Sequence, residues 1–200
     1  MSSPLLWYLN RGTGVVLLVV FTLTVLLGIL ATHRSTSTWW PRFVSQGLHR
    51  TLAALSVLLL VGHAATAVVD EYVDIRWWQA VVPGGAEYER LWMACGAIAL
   101  DLTAVVVATS LARSRLSHRA WSVIHLTTYL AWLAGVVHGI GMGTDASTPW
   151  LTAVTAACVA AVALAAMIRL LAVARTRRRR LPGPPEDDWA LVVAGRGERP

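Results

Sequence analysis

Five long runs of apolar residues constrain what this chain of 200 residues can fold into. A helix rises about 1.5 Å per residue, so roughly 20 apolar residues cross the hydrocarbon core of a bilayer, which is about 30 Å thick. Helices are the expected form, because lipid offers no hydrogen-bond partner to backbone polar groups. The predicted spans are residues 14–32, 48–69, 91–112, 121–142 and 150–172. We therefore expect an all-α membrane protein, a bundle of five transmembrane helices.

The composition agrees with a membrane bundle, since 56% of the residues are hydrophobic and only 14% are charged. That balance is far from the composition of a soluble domain. We expect three regions, which are a short outer N-terminal segment at 1–13, the helical domain at 14–172, and a tail at 173–200 that is basic and then Pro-rich. The LPGPPEDD stretch of the tail combines helix breakers with acidic residues, so we predict that the tail is disordered.

The charged residues between the apolar runs predict the orientation of the chain. Cytoplasmic loops of membrane proteins are enriched in basic residues. The arginines concentrate in the first loop, the third loop and the tail, at Arg34, Arg42, Arg50, Arg113, Arg115, Arg119, Arg175, Arg177, Arg178, Arg179 and Arg180. The second loop is instead acidic, with Asp70, Glu71, Asp74, Glu87 and Glu89. We predict a multi-pass protein of the cell membrane whose N-terminus is outside and whose C-terminus is cytoplasmic.

The excess of basic residues does not indicate a nucleic-acid partner, although the net charge is +6. No aromatic residue alternates with an exposed basic face, as single-strand binding would require. Membrane lipid is the expected surrounding. All 17 basic residues are arginine, a bias typical of GC-rich genomes, which favours a bacterial source.

Four histidines lie in two pairs at nearly the same spacing, His49 with His63 and His125 with His138. The members of each pair are separated by roughly 20 Å along a helix, so each pair places one imidazole near each membrane face. The second and fourth spans run in the same direction, which puts His49 and His125 near the cytoplasmic face and His63 and His138 nearer the outer face. Two facing imidazoles can complete a six-coordinate heme. We predict bis-histidine heme sites between the second and fourth helices, with two heme b groups.

The directions in which these side chains point are less regular than their depths. At about 100° per residue, His63 lies some 40° from the azimuth of His49, whereas His138 lies some 140° from that of His125. A straight fourth helix would not present both of its histidines to one neighbour. We expect local bending or over-winding near Gly135, or a helix crossing angle that turns the facing surface along its length.

The segments that carry the histidines resemble a known family. These segments are SHRAWSVIHLTTYLAWLAGVVHG at 117–139, QGLHR at 46–50 and GHA at 62–64. They resemble the ferric reductase-like transmembrane domain over roughly residues 14–142. That superfamily includes NADPH oxidases, ferric-chelate reductases and the heme-binding membrane subunit of the bacterial methionine sulfoxide reductase system, and its members carry histidine pairs at these two spacings. The resemblance implies that His49 and His125 bind an inner heme and that His63 and His138 bind an outer one.

The resemblance is closest to the short bacterial members, which work with separate redox partners. Larger members often have six spans and carry a fused flavin and nicotinamide region, and no Gly-rich phosphate loop follows a strand in this sequence. We therefore expect a separate cytoplasmic electron donor, either a flavin reductase or quinol, and a separate electron acceptor at the outer face.

Three further residues are candidates for the site. Arg50 and Arg119 adjoin the ligand-bearing segments and could pair with heme propionates near the inner face. Asp101 is an acid in the middle of a span, where a bond to His63, a proton relay and a structural bond to a neighbouring Thr are all open. We expect no functional role for the remaining histidines and the cysteines, which are His33, His118, Cys95 and Cys158.

The sequence thus predicts a di-heme b-type cytochrome that passes electrons from a cytoplasmic donor to an outer-face acceptor, as a transmembrane oxidoreductase or its heme-binding subunit. Two alternatives stay open. One is a quinol-linked di-heme cytochrome b, which would need a quinone pocket beside one heme. The other is a non-redox membrane transporter or assembly protein, in which the histidines serve protons or a metal.

Overall fold

The described part of the chain is entirely helical. The computed structural model describes residues 4–31, 42–70, 75–142 and 148–179, and these contain no strand. The long helices are α1 (Pro4–Ala31), α2 (Arg42–Val69), α3 (Arg90–Leu111), α4 (His118–Leu126), α5 (Thr128–Met142) and α6 (Pro149–Arg179). Short 3-10 turns at Trp77–Ala80 and Arg113–Arg115 lie before α3 and α4.

Five helical stretches are long and apolar enough to cross a membrane, with α4 and α5 together forming the fourth. This confirms the all-helical prediction with five candidate spans. The first and last helices are longer than their predicted spans, because α1 begins at Pro4 and α6 continues to Arg179. Residues 4–13 and 173–179 are therefore helical. Residues 180–200, which hold the Pro-rich stretch of the tail, lie outside the described residues.

Two helix pairs dominate the packing, α1 against α2 and α3 against α5. A third contact joins α1, α5 and the first half of α6, through the buried side chains of Val25, Ile29, Trp132, Val136 and Val162. Within it, the indole N–H of Trp132 donates a hydrogen bond of 2.9 Å to the hydroxyl of Thr22. Lipid tails are as apolar as these side chains, so close packing and such bonds hold membrane helices together.

Polar side chains also join α1 to α2. The hydroxyls of Thr24 and Ser56 lie 3.3 Å apart, and both residues are buried. At the other end of the two helices, the Asn10 amide donates to the carbonyl of His63 at 2.9 Å and to the hydroxyl of Thr66 at 3.2 Å. Interhelical bonds of this kind fix the register of two helices, because a shift along the axis would leave the polar groups unpaired in an apolar environment.

The fourth span is interrupted at Thr127, between α4 and α5. The Thr127 N–H donates to the carbonyl of Ile124 at 3.0 Å, which is a tighter 3-10 bond, and the Thr128 hydroxyl donates to the carbonyl of His125. Threonine hydroxyls that bond to preceding carbonyls compete with the helix and distort it. We expected local bending or over-winding near Gly135, or a helix crossing angle that turns the facing surface. The described backbone is α-helical at Gly135 and is interrupted at Thr127.

The contacts divide the chain into one unit that ends at Ala165 and a second that begins at Ala166, with the boundary inside α6. In the second unit, the described residues are the last turns of α6, and most of their side chains are exposed.

Candidate metal-binding site

The four histidines meet in two pairs across the space between α2 and the fourth span. The ring centroids of His49 and His125 lie 6.3 Å apart, with an angle of 64° between the rings. The centroids of His63 and His138 also lie 6.3 Å apart, with an angle of 83°. These are the two pairs that the depths of the residues predicted.

The spacing within each pair is that of two imidazoles on opposite sides of one metal ion. A ligating histidine nitrogen lies about 2.0 Å from its metal, and ring bonds near 1.33 Å put the ring centre roughly 1.1 Å beyond that nitrogen. Two opposed ligands therefore have centroids roughly 6.3 Å apart. A direct bond between the rings, with nitrogens about 2.9 Å apart, would bring the centroids to about 5 Å. Edge-to-face ring contacts also allow the observed spacing, so the hydrogen bonds of the rings carry more information.

Three of the four rings donate a hydrogen bond from Nδ1 to a backbone carbonyl of the adjacent helix. His49 bonds to Thr24 O at 3.0 Å, His63 to Asn10 O at 3.0 Å and His138 to Trp92 O at 2.9 Å. A carbonyl oxygen only accepts, so each Nδ1 carries the hydrogen. In the neutral ring this leaves the Nε2 lone pair available. A bond of this kind fixes the tautomer and the orientation of a metal-ligating histidine and makes it a stronger electron donor.

Each of the three carbonyls is followed, four residues later, by a glycine. We name each combination a carbonyl–glycine seat, and the seats are Asn10 with Gly14, Thr24 with Gly28, and Trp92 with Gly96. Residues i and i+4 share a helix face, so a side chain at the second position would cover the carbonyl of the first. A Cβ at Gly96 would lie 2.7 Å from Nδ1 of His138, and one at Gly14 would lie 3.1 Å from Cε1 of His63. The glycines thus let the imidazoles reach the backbone.

Sequence reasoning missed the seats, although a signal for two of them was present. The two glycines of α1, Gly14 and Gly28, are separated by the same number of residues as His49 and His63. Because α1 and α2 are consecutive in the sequence, this matched spacing could have indicated that the histidines of α2 pack against the glycines of α1. Gly141 leaves room for the indole of Trp92, since a Cβ there would overlap that ring, and Trp92 supplies the carbonyl that His138 bonds to.

His125 is held differently from the other three. Its Nδ1 has no hydrogen-bond partner among the described residues. Its ring instead stacks on Trp121, with centroids 4.8 Å apart and an angle of 22°. On the same indole lies the guanidinium carbon of Arg113, 4.4 Å from the ring centroid. The Trp121 N–H is also without a partner in the described part of the chain.

The two spans that carry the histidines, α2 and the fourth span, do not pack closely on each other. In the described residues α2 packs on α1 and α5 packs on α3, while the backbones of α2 and of α4 and α5 approach at few points. Of the five spans, α2 buries the smallest share of its residues. The imidazole pairs are therefore contacts between α2 and the fourth span that reach across this gap.

Each pair by itself offers a metal two nitrogen ligands. No group of three or more His, Cys, Asp and Glu side chains that could hold a metal ion occurs among the described residues. The remaining ligands of a metal held by either pair would have to come from a cofactor or from solvent.

The other predicted candidates lie apart from the pairs or make no contact with them. Asp101 is partly buried on α3 and makes no hydrogen bond or ion pair with a described residue. The bond to His63 that we considered is not seen among the described residues, where Nδ1 of that histidine bonds to the carbonyl of Asn10. Arg50 and Arg119 are exposed. His118 lies with its ring centroid 6.2 Å from that of Trp121, and His33 is outside the described residues.

The fold and the histidine pairs define an all-helical protein with five helices apolar enough to span a membrane. The chain belongs to the family described as Domain of unknown function (DUF8596), whose family model matches residues 5–145. That range includes all four paired histidines and the three carbonyl–glycine seats. No curated protein and no solved structure matches the chain.

Proposed function

We propose that this protein is a di-heme b-type membrane cytochrome that passes electrons between a cytoplasmic donor and an outer-face acceptor. The observation that carries the proposal is the shared geometry of the two pairs, each with its rings 6.3 Å apart. The hydrogen bonds from Nδ1 support it, because they leave Nε2 of three histidines available for a metal.

The donor set fits heme. A heme iron takes four nitrogens from its macrocycle, so a pair of opposed imidazoles completes six-coordination. In the proposal His49 and His125 hold one heme, and His63 and His138 hold the other. Bound heme supplies a one-electron carrier that the side chains of the chain do not provide. The carbonyl–glycine seats keep the rings of His49, His63 and His138 in one orientation and in one tautomer.

The depth of the pairs gives the proposed path its direction. His49 and His63 lie on one helix, separated by roughly 21 Å of rise, so the two sites are at different membrane depths. The arginine-rich loops place the His49–His125 site toward the cytoplasm by the positive-inside rule. A cytoplasmic flavin reductase or quinol is the proposed donor, and a partner at the outer face is the proposed acceptor. The protein would then act as a transmembrane oxidoreductase or as its heme-binding subunit, in a ferric reductase-like manner.

A visible spectrum of the purified, heme-replete protein tests this function. We expect a b-type reduced-minus-oxidised spectrum and close to two hemes per chain, because four paired histidines complete two irons. The matched control is the doubly substituted His49→Ala, His63→Ala protein, which should bind little heme. Absence of Soret absorbance in the parent protein would overturn the proposal and favour a non-redox transporter or assembly protein.

A further inference from the structure

We infer that the two histidine sites differ in reduction potential, with the His49–His125 site the easier to reduce, and that Trp121 and Arg113 set this difference. The inference rests on the proposed heme binding. Trp121 and Arg113 would tune the His49–His125 site and not the other.

The first observation is the unequal hydrogen bonding of the four ligand rings. Both rings of the His63–His138 site donate from Nδ1 to a carbonyl. In the His49–His125 site only His49 does so, since Nδ1 of His125 has no partner among the described residues. A bonded Nδ1–H makes the imidazole a stronger electron donor, which favours the oxidised metal. Hydrogen bonding to the ligands is thus one of the levers that set a heme potential. The His63–His138 site should therefore have the lower potential.

The second observation is the stack of Arg113, Trp121 and His125. The indole of Trp121 holds the His125 ring at 4.8 Å and nearly parallel, so it orients this ligand without adding a bond to Nδ1. The guanidinium of Arg113 lies 4.4 Å from the centre of the same indole. No ion pair of Arg113 with an acid occurs in the described part of the chain. A fixed positive charge near a redox centre favours the form with one more electron.

Both observations act in the same direction and on the same site. Trp121 is a positioning residue, because it acts through His125, and Arg113 acts through space. A single electron given to the protein by an external one-electron donor should rest at the His49–His125 site. A second electron then occupies the His63–His138 site, where it is held less strongly and is more readily passed to an acceptor. Each site gains one electron as one donor molecule loses one, and no bond is made or broken.

Potentiometric titration of the purified heme-loaded protein, followed in the visible spectrum, tests the inference. We expect two one-electron waves, the upper from the His49–His125 site. His63→Ala assigns the waves, since it should remove the lower wave and retain the upper one. A single wave, or loss of the upper wave in H63A, would overturn the inference. A protein that binds no heme would instead refute the proposed function, so the two failures are distinguishable.

Four substitutions separate tuning from a merely structural role. Arg113→Gln should shift the upper wave to lower potential and leave the lower wave in place. Trp121→Leu should do the same, whereas Trp121→Phe, which keeps a stacked ring, should stay closer to the parent protein. Arg115→Gln is the control, because it removes an equal charge from the same exposed turn without a stack on Trp121. If the W121L protein loses heme, the position of the upper wave in R113Q tests the inference instead. An upper wave that is equally placed in R113Q and R115Q contradicts the inference.

Discussion

Three glycines determine how closely the histidines approach the neighbouring helices. The constraint is graded, since an added Cβ would lie 2.7 Å from His138 at Gly96, 3.1 Å from His63 at Gly14 and 3.6 Å from His49 at Gly28. The first distance cannot be accommodated without movement of the ring, and the last is an ordinary van der Waals contact. The absence of a side chain is therefore most important at Gly96, less so at Gly14 and least at Gly28.

Gly96→Ala should displace His138 and weaken heme binding at the His63–His138 site. Overpacking of this kind costs about 1–3 kcal/mol, so we expect binding at this site to weaken by roughly fivefold to 150-fold. Heme stoichiometry and the spectrum of the purified variant measure the effect. Gly62→Ala is the matched control, because a Cβ there meets nothing within 4 Å, and it should bind heme normally. Equal heme content in G96A and G62A would show that the seat has no role.

The helices bring the histidines together in two different ways. On α2 a regular helix suffices, because His49 and His63 are spaced so that their side chains leave the helix in nearly the same direction. The fourth span is interrupted at Thr127, between His125 and His138, and both of its histidines lie opposite those of α2. The sequence showed that a straight helix would fail. It did not show where the helix is interrupted, because threonine hydroxyls often bond to preceding carbonyls without ending a helix.

Single alanine substitutions of the ligands test the pairing of α2 with the fourth span. His49→Ala and His125→Ala should lose the same heme and retain much of the other, whereas His63→Ala and His138→Ala should lose the second. Low-spin EPR signals distinguish the two hemes. His118→Ala, at an exposed position of α4 outside both pairs, should retain both signals. Loss of the same signal in H49A and H63A would show that the pairing is wrong.

In the unit that ends at Ala165, the described residues include two closely packed helix pairs, and the paired histidines lie between them. One pair is α1 with α2 and the other is α3 with α5, and α1 joins them through its contact with α5. The seats follow this arrangement. The rings of α2 bond to carbonyls of α1, and His138 of α5 bonds to a carbonyl of α3. The helix neighbouring each of these three rings thus orients it, whereas His125 of α4 is oriented by its stack on Trp121.

The orientation that the arginines predict for the chain is open to a direct test. A reporter that is active only in the cytoplasm should give signal when fused after residue 180. The same reporter inserted near residue 145, in the loop before α6, should be silent, because the positive-inside rule places that loop outside. Equal expression of both fusions, checked by immunoblot, is the control. The opposite pattern would reverse the proposed path of the electrons.

The amino-acid sequence by itself predicted five apolar helices long enough to span a membrane and the positions of the four histidines along them. Both follow from distance along the chain, because an apolar run has to match the bilayer and each residue adds a fixed rise. The tertiary structure alone decided which carbonyls the rings of three histidines reach, why Gly14 and Gly96 leave room for two of them, and that His125 stacks on Trp121 without a bond to Nδ1. Those features depend on which helices are neighbours and on their relative register, which periodicity within one helix does not specify.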